Sequence, residues 1–332
     1  MPGLTSEQIT FFEDNGYLIV ENVLDADSLT AVEDEYSSIL DREVPRLAAE
    51  GKVTETYDGM PFAERYPRIL PQLQHMYDLY EHLDITLPLM HDVPSDAGIN
   101  TGPAVFSHVL RNPAILDIAE SLMGPELSCS PVQHARIKPP KQVMDGLAVD
   151  SNVAKTSWHQ DEAVLNDQAT DISMLTVWVA VTDATVENGC MVCVPGSHKG
   201  DLEVIMHCPG KSIGSAEIYI PADLVGSNAV PMPVGKGGVV LLHQRTKHGS
   251  LENKTDRIRW SFDLRYYVTG ANSGREVFPS FVARSARDPG LELRDPDVYA
   301  ANWKAARAYL SSLDRVEFNN RWKRYSDHPL CA

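Results

Sequence analysis

Trp158-His159-Gln160-Asp161 places an imidazole and a carboxylate two residues apart. In an extended chain residues i and i+2 leave from the same face. His159 and Asp161 therefore project side by side, and Trp158 and Gln160 point the other way. A histidine nitrogen and a carboxylate oxygen are two of the three ligands in the facial triad of non-haem Fe(II) sites. His-x-Asp alone also fits a solvated strand end, so the metal reading needs a third ligand elsewhere in the chain.

Two histidines compete for that place. His243 and His248 both follow the apolar run Val239–Leu242. His248 is followed by Gly249-Ser250, then Asn253, then Arg259, and 259 − 248 = 11. This separation predicts Arg259 on the next strand of a hairpin, beside the strand of the histidine. A guanidinium there can grip a ligand carboxylate with two parallel hydrogen bonds, and Ser250 can donate one more. Arg257 shares strand parity with Arg259 but sits nearer the turn. Arg265 lies well along the strand, on the expected substrate side.

The bulk of the chain narrows the function classes. The 332 residues are 43% hydrophobic and 23% charged, an ordinary globular composition. The net charge of −17 argues against nucleic acid or an anionic membrane as partner, since both need a basic surface. No run is apolar for the length of a membrane span, and the first residues lack a signal-peptide pattern. Five cysteines, Cys129, Cys190, Cys193, Cys208 and Cys331, form an odd, scattered set. Free thiols and a cytoplasmic location are expected. Cys190-x-x-Cys193 falls in an apparent strand with no second pair to complete a zinc site.

Elsewhere the pattern alternates between helix and strand. Thr5 or Ser6 caps a helix that Asn15-Gly16 ends. Tyr17–Val23 suits a strand, and Asp25 to about Leu47 carries Leu29, Val32, Tyr36 and Leu40 at helical spacing. Residues 51–100 are irregular. Asn112-Pro113 opens a helix that Gly124-Pro125 closes. From there the chain reads mostly as strands: Glu126–Lys138, Met174–Thr182, Cys190–Val194, Val230–Val234, Gly238–Leu242 and Arg259–Val268, divided by Gly, Pro and Asn turns. Asp295-Pro296 starts a last helix through Leu310.

With these segments in order, the chain resembles the phytanoyl-CoA dioxygenase-like family of Fe(II)/2-oxoglutarate oxygenases. The likeness runs through N-G-Y-L-I-V-E-N-V-L, L-R-N-P-A-I-L-D-I-A-E-S-L-M-G, W-H-Q-D, L-T-V-W-V-A-V-T-D-A-T-V-E-N-G, V-P-G-S-H and H-G-S-L-E-N-K-T-D-R-I-R. It implies a mostly β fold with flanking helices, a double-stranded β-helix or cupin-like jelly roll. The expected layout is one domain over 1–332: a helical part to about 125, the jelly-roll core at about 126–270, and a helical extension at about 271–332.

Carried over to this chain, the resemblance implies that His159, Asp161 and His248 bind Fe(II). Arg259 and Ser250 would hold the distal carboxylate of 2-oxoglutarate, with Trp178 and Gln133 near the cosubstrate. Arg136 departs from the commoner small or amide residue, and Arg136 and Arg265 are the substrate-pocket candidates. His134, His198 and His207 are expected to be structural, and Glu162 to face away from the metal. The implied activity is hydroxylation of an unactivated C–H bond of a small metabolite, using O2 and yielding succinate and CO2. Desaturation, epoxidation or cyclisation use the same cofactors, and a 2-oxoglutarate-binding sensor is the rival from another class. Asp161 stands where halogenases of this class have a small residue. The loops 51–105, Asp161 to Ile172, 200–230 and 270–325 are expected to set the substrate, the first and third as covers.

Overall fold

The computed structural model describes residues 3–88, 93–144, 156–166, 169, 172–201, 205–206, 218–220 and 222–314. Its strands are β1 (Tyr17–Val20), β2 (Glu126–Cys129), β3 (His134–Lys138), β4 (Met174–Ala180), β5 (Met191–Cys193), β6 (Ile205–Met206), β7 (Ile218–Tyr219), β8 (Val230–Met232), β9 (Val239–His243), β10 (His248–Ser250), β11 (Arg259–Val268) and β12 (Phe281–Ser285). The main sheet has the order β1-β9-β4-β11-β2-β12, with β3 also paired to β11. A second sheet has the order β10-β5-β8, and β6 pairs with β7.

The central strands show why the chain makes this sandwich. Along β11 the residues alternate without a fault. Trp260, Phe262, Leu264 and Tyr266 enter the large apolar core under the helices, so Arg259, Ser261, Asp263 and Arg265 face the other way. On β4, Leu175, Val177 and Val179 join that same core, while Trp178 and Ala180 pack towards the second sheet. β4 is buried on both faces, which explains its nearly continuous apolar run, broken only by Thr176.

The helices close the outer face of the main sheet. Asp25 caps the helix Ala26–Ala49, accepting from the Ser28 amide at 2.8 Å. This helix buries Leu29, Val32, Tyr36, Leu40 and Leu47 at helical spacing. Tyr36 and Phe62 meet Trp260 with ring centroids 4.6 and 4.7 Å away. Each such side chain, once buried, contributes about 1.5–3 kcal/mol. The last helix, Pro296–Leu310, adds Tyr299, Trp303 and Leu310 to the same core, which runs from Phe12 to Leu310.

Several expectations change. Residues 51–105, expected as a cover, supply core instead: the helix Phe62–Ile69 and the turns after it bury Phe62, Tyr66, Ile69, Leu70, Leu83 and Ile85. A π-helix, Val105–Leu110, was not anticipated. The strand expected over Glu126–Lys138 is two strands, parted at Ser130-Pro131, where proline brings no N–H to a ladder. The extension from 271, expected to be helical, contributes β12, paired to β2. Nor do β10 and β11 form a hairpin. β10 pairs with β5, and β11 with β2, β3 and β4, so the link between them crosses from one sheet to the other. Asn253 holds that crossing by donating from Nδ2 to the carbonyls of Lys138 (3.2 Å) and Arg257 (2.7 Å).

Cys129, Cys190 and Cys193 are free and buried. Burial pushes the Cys193 thiol up to about 12. Residues 202–204, 207–217 and 221, with His207 and Cys208, lie outside the described residues, as do 315–325 and Cys331. No helix among the described residues is long and apolar enough to cross a membrane.

One glycine ties the first helix to the metal-side strands. Gly16 caps the helix Ser6–Asn15 at φ +75°, and its carbonyl accepts from His243 N (2.9 Å) and Thr246 Oγ1 (2.6 Å). A Cβ there would collide with His198 and Thr246 as well as strain the backbone. Gly16→Ala should therefore cost about 1–3 kcal/mol in urea unfolding. Gly51→Ala, at φ +74° with open space around it, should cost less. Equal losses for the two variants would show that the contacts at Gly16 contribute nothing.

Candidate active site

A short main-chain bridge brings two histidines together. His159 N donates to the His248 carbonyl at 2.8 Å, and His248 N to the His159 carbonyl at 3.0 Å. Their rings lie 4.2 Å apart, centroid to centroid. The chain stays extended through Gln160 and then enters a 3-10 turn, Asp161–Val164. Asp161 still projects on the histidine side. His159 Nε2 is 3.6 Å from Asp161 Oδ1, and His248 Nε2 is 3.7 Å from Asp161 Oδ2. Ligand atoms of the three residues all lie within 4.8 Å of one another. Gln160 points away and donates to the Arg245 carbonyl at 2.8 Å.

The protonation pattern suits a cation. His159 Nδ1 donates to the Ser157 carbonyl (2.8 Å) and His248 Nδ1 to the Thr246 carbonyl (2.9 Å). With the proton on Nδ1, each Nε2 turns a lone pair towards Asp161. Burial, then the neighbouring His159 ring, pushes His248 down to about 4, so it is neutral. Burial opposes ionisation of Asp161, but the Arg265 guanidinium holds its carboxyl well below the usual range. Two nitrogen lone pairs and one carboxylate converging in a buried place fit a first-row divalent metal such as Fe(II).

Asp161 is itself anchored. Arg265 Nη2 donates to its Oδ1 at 2.6 Å, and Thr176 Oγ1 to its Oδ2 at 2.5 Å. Arg265 also donates to the Val132 carbonyl (2.9 Å) and to Asp263 Oδ2 (3.1 Å). Sequence reasoning put Arg265 in the substrate pocket; the structure spends its guanidinium on the triad carboxylate. Thr176 faces Arg265 across β4 and β11, which is why both reach Asp161.

Beyond the triad the same inner face is strongly cationic. Arg259 is 2% exposed and lies over the Trp178 ring, 5.1 Å from its centroid. Its Nη1 donates to Ser261 Oγ (2.8 Å), while its Nε has no hydrogen-bond partner among the described residues. Burial pushes Arg259 down to about 10, still cationic at neutral pH. Lys138 stands opposite Arg259 in the β3–β11 register and donates to Ser250 Oγ (2.7 Å) and the Leu251 carbonyl (2.6 Å). Ser250 Oγ also accepts from Thr156 N at 3.0 Å, leaving its own proton to donate.

The remaining expected residues divide. Gln133 is not brought to the site: it donates to Tyr299 Oη (3.0 Å) and the Ile85 carbonyl (3.4 Å), on the helical side of the sheet. Arg257 is exposed. His243 Nδ1 accepts from Arg245 N (3.1 Å), and its ring neighbours His198, outside the triad. Glu162 is buried and accepts from Gln244 Nε2 (3.1 Å) and Arg245 Nε (2.6 Å). Lys138, Thr176, Asp263, His134 and Asp84 were missed. His134, expected to be structural, pairs with Asp84 on the same face as Arg136. The signal was present in both strands: H-A-R-I-K and R-W-S-F-D-L-R each alternate polar with apolar residues, so one polar face is legible in each.

Residues 12–261 match the phytanoyl-CoA dioxygenase (PhyH) family. A mouse relative, phytanoyl-CoA dioxygenase domain-containing protein 1, is 26% identical over 275 residues, covering 80% of this chain and 90% of its own. The solved non-heme monooxygenase ThoJ is 20% identical with a TM-score of 0.56, covering 92% of this chain and 97% of its own. EctD from S. alaskensis, solved with 2-oxoglutarate and 5-hydroxyectoine, is 16% identical with a TM-score of 0.51, covering 81% and 78%. The fold is thus the cupin-like jelly roll of non-haem oxygenases. The chain belongs to the phytanoyl-CoA dioxygenase family. It is an oxidoreductase whose cofactors are Fe(II), 2-oxoglutarate and O2.

Removing one partner of a fully buried pair strands the other. Arg265→Met should therefore destabilise the metal-free protein by about 3–5 kcal/mol, read by urea unfolding. Thr176→Val should cost less, about 1–3 kcal/mol, because a neutral donor is lost. An Arg265→Met protein as stable as its parent would show that Asp161 finds another answer to its charge.

Proposed function

We propose that this enzyme hydroxylates an unactivated C–H bond of a small metabolite while 2-oxoglutarate is converted to succinate and CO2. The observation that carries the reading is the joint presence, on one buried inner face, of the intact His159-Asp161-His248 set and the uncompensated Arg259 guanidinium. The continuous core from Phe12 to Leu310 is why we take 1–332 as a single catalytic domain.

In this reading His159, Asp161 and His248 hold Fe(II), which when bound supplies O2 activation and the oxidising step. The rest is the work of the protein. The Ser157 and Thr246 carbonyls keep both imidazoles in the tautomer that ligates. Arg265 and Thr176 fix the rotamer of Asp161. Arg259 takes the distal carboxylate of 2-oxoglutarate by a bidentate contact, with Trp178 flanking its guanidinium and Ser250 and Lys138 completing the cationic end. The apolar residues between the sheets exclude water from the reacting centre.

His159→Ala and Asp161→Ala should each lose anaerobic Fe(II) binding and 2-oxoglutarate-dependent succinate release. His243→Ala should keep the metal. Arg259→Ala should raise the 2-oxoglutarate requirement about 30-fold or more, equivalent to roughly 2 kcal/mol or above. Arg259→Lys should recover part of that loss, since it restores charge without the fork. Succinate formation and O2 uptake by the Fe-loaded protein, measured across a metabolite library, test the whole reading. Binding of 2-oxoglutarate with no succinate under any condition would replace it with a sensor.

A further inference from the structure

Among the described residues of the inner face, two guanidiniums have no carboxylate within hydrogen-bond range: Arg259, given above to 2-oxoglutarate, and Arg136. Asp161 is taken by Arg265 and Thr176. Asp84 Oδ1 accepts from the Ile85 and Ala135 amides, both at 2.8 Å, and its Oδ2 from His134 Nδ1 at 2.9 Å. Asp263 Oδ2 accepts from Arg265 at 3.1 Å and stands 3.9 Å from Arg136 Nη2, outside hydrogen-bond range. The Arg136 side chain makes no hydrogen bond to any described residue, although its carbonyl accepts from Ser261 Oγ at 3.4 Å.

Arg136 is also placed to meet a ligand. It shares the inner face of β3 with His134 and Lys138, and pairs in register with Ser261, two residues along β11 from Arg259. It is enclosed by protein, yet 27% of its side chain is open, against 3% for Arg265. The other partly open side chains of this face are His134 (17%), His159 (14%), Asp263 (13%) and Asp84 (12%). Arg136 and His159 are thus both partly open, while Arg265 beside Asp161 is closed off.

We propose that Arg136 binds a carboxylate of the substrate, so that the enzyme acts on small organic acids bearing a free carboxylate group. This rests on the function proposed above, in which Arg259 takes the distal carboxylate of 2-oxoglutarate; the carboxylate at Arg136 is that of the substrate. A planar guanidinium suits a planar carboxylate. The nearby Asp263 and Asp84 favour a singly charged group over a doubly charged phosphate, since each added negative charge meets theirs at close range. His134 adds no charge of its own, because burial, then Arg136 itself, lowers its pKa.

The test uses the full chain loaded with Ni(II) and 2-oxoglutarate, a state without turnover. The probes are a panel of small carboxylic and amino acids, each paired with its primary amide and, where one exists, its phosphate-ester analogue. Binding is read by calorimetry, and succinate release is then followed in the Fe(II) enzyme. At least one acid should bind and raise succinate release while its amide does not. Arg136→Gln should weaken that acid about tenfold or more, and Arg136→Lys should recover part of the loss. The 2-oxoglutarate dissociation constant should move far less than the acid constant. The proposal is overturned if no acid binds, or if amides or phosphate esters bind as well as acids. It is equally overturned if Arg136→Gln weakens 2-oxoglutarate as much as the acid, which would make Arg136 a cosubstrate residue. Failure of the parent reading looks different: the unmutated protein then binds no 2-oxoglutarate at all.

Discussion

A carboxylate sealed from water must be answered by protein, and the answer to Asp161 organises the inside of this fold. Arg265 reaches it from β11 and Thr176 from β4, while His159 and His248 flank it from the link and strand of the second sheet. Arg265 is in turn held by the Val132 carbonyl and by Asp263. The pair thus joins both layers of the sandwich at the point where a metal would bind. Breaking a buried ion pair costs far more than forming one gains. The arrangement is therefore better understood as precision in the position of a ligand than as a source of stability.

That precision depends on strands with two unlike faces. β11 sends aromatic and aliphatic residues into the helical core and charged ones into the space between the sheets. The apolar face supplies the packing energy that lets the other face collect like charges. Lys138, Arg136, Arg259 and Arg265 crowd one interior in a chain whose net charge is −17. Anionic partners, first of all 2-oxoglutarate, are the natural complement of such an interior, whatever the charge of the outer surface.

The second sheet contributes position more than bulk. β10 is three residues long, yet its bridge to His159 sets the distance between the two imidazoles. Gly16 and Thr246 brace the turn before it, so the end of the first helix is tied to the segment that leads into His248. The crossing after Ser250, held by Asn253, then carries the chain to Arg259 in the main sheet. His248 and Arg259 thus stand on different sheets, not along one hairpin.

Much of this was legible in the amino-acid order. Caps at Thr5, Asp25, Asn112 and Asp295 mark the starts of real helices, and the apolar run at Met174 and the alternating run at Arg259 mark real strands. These are short-range signals, set by hydrogen bonds and side-chain periods within a few residues. His-x-Asp likewise places two ligands by local geometry alone. What the order could not settle was which faces meet. His248 joins the triad and His243 does not because of a bridge between residues 89 positions apart (248 − 159). Arg265 answers Asp161, and Gln133 turns to Tyr299, because register across the sheet and burial against the helices put them there. Those are contacts between distant segments, and their energy exists only once the layers have packed.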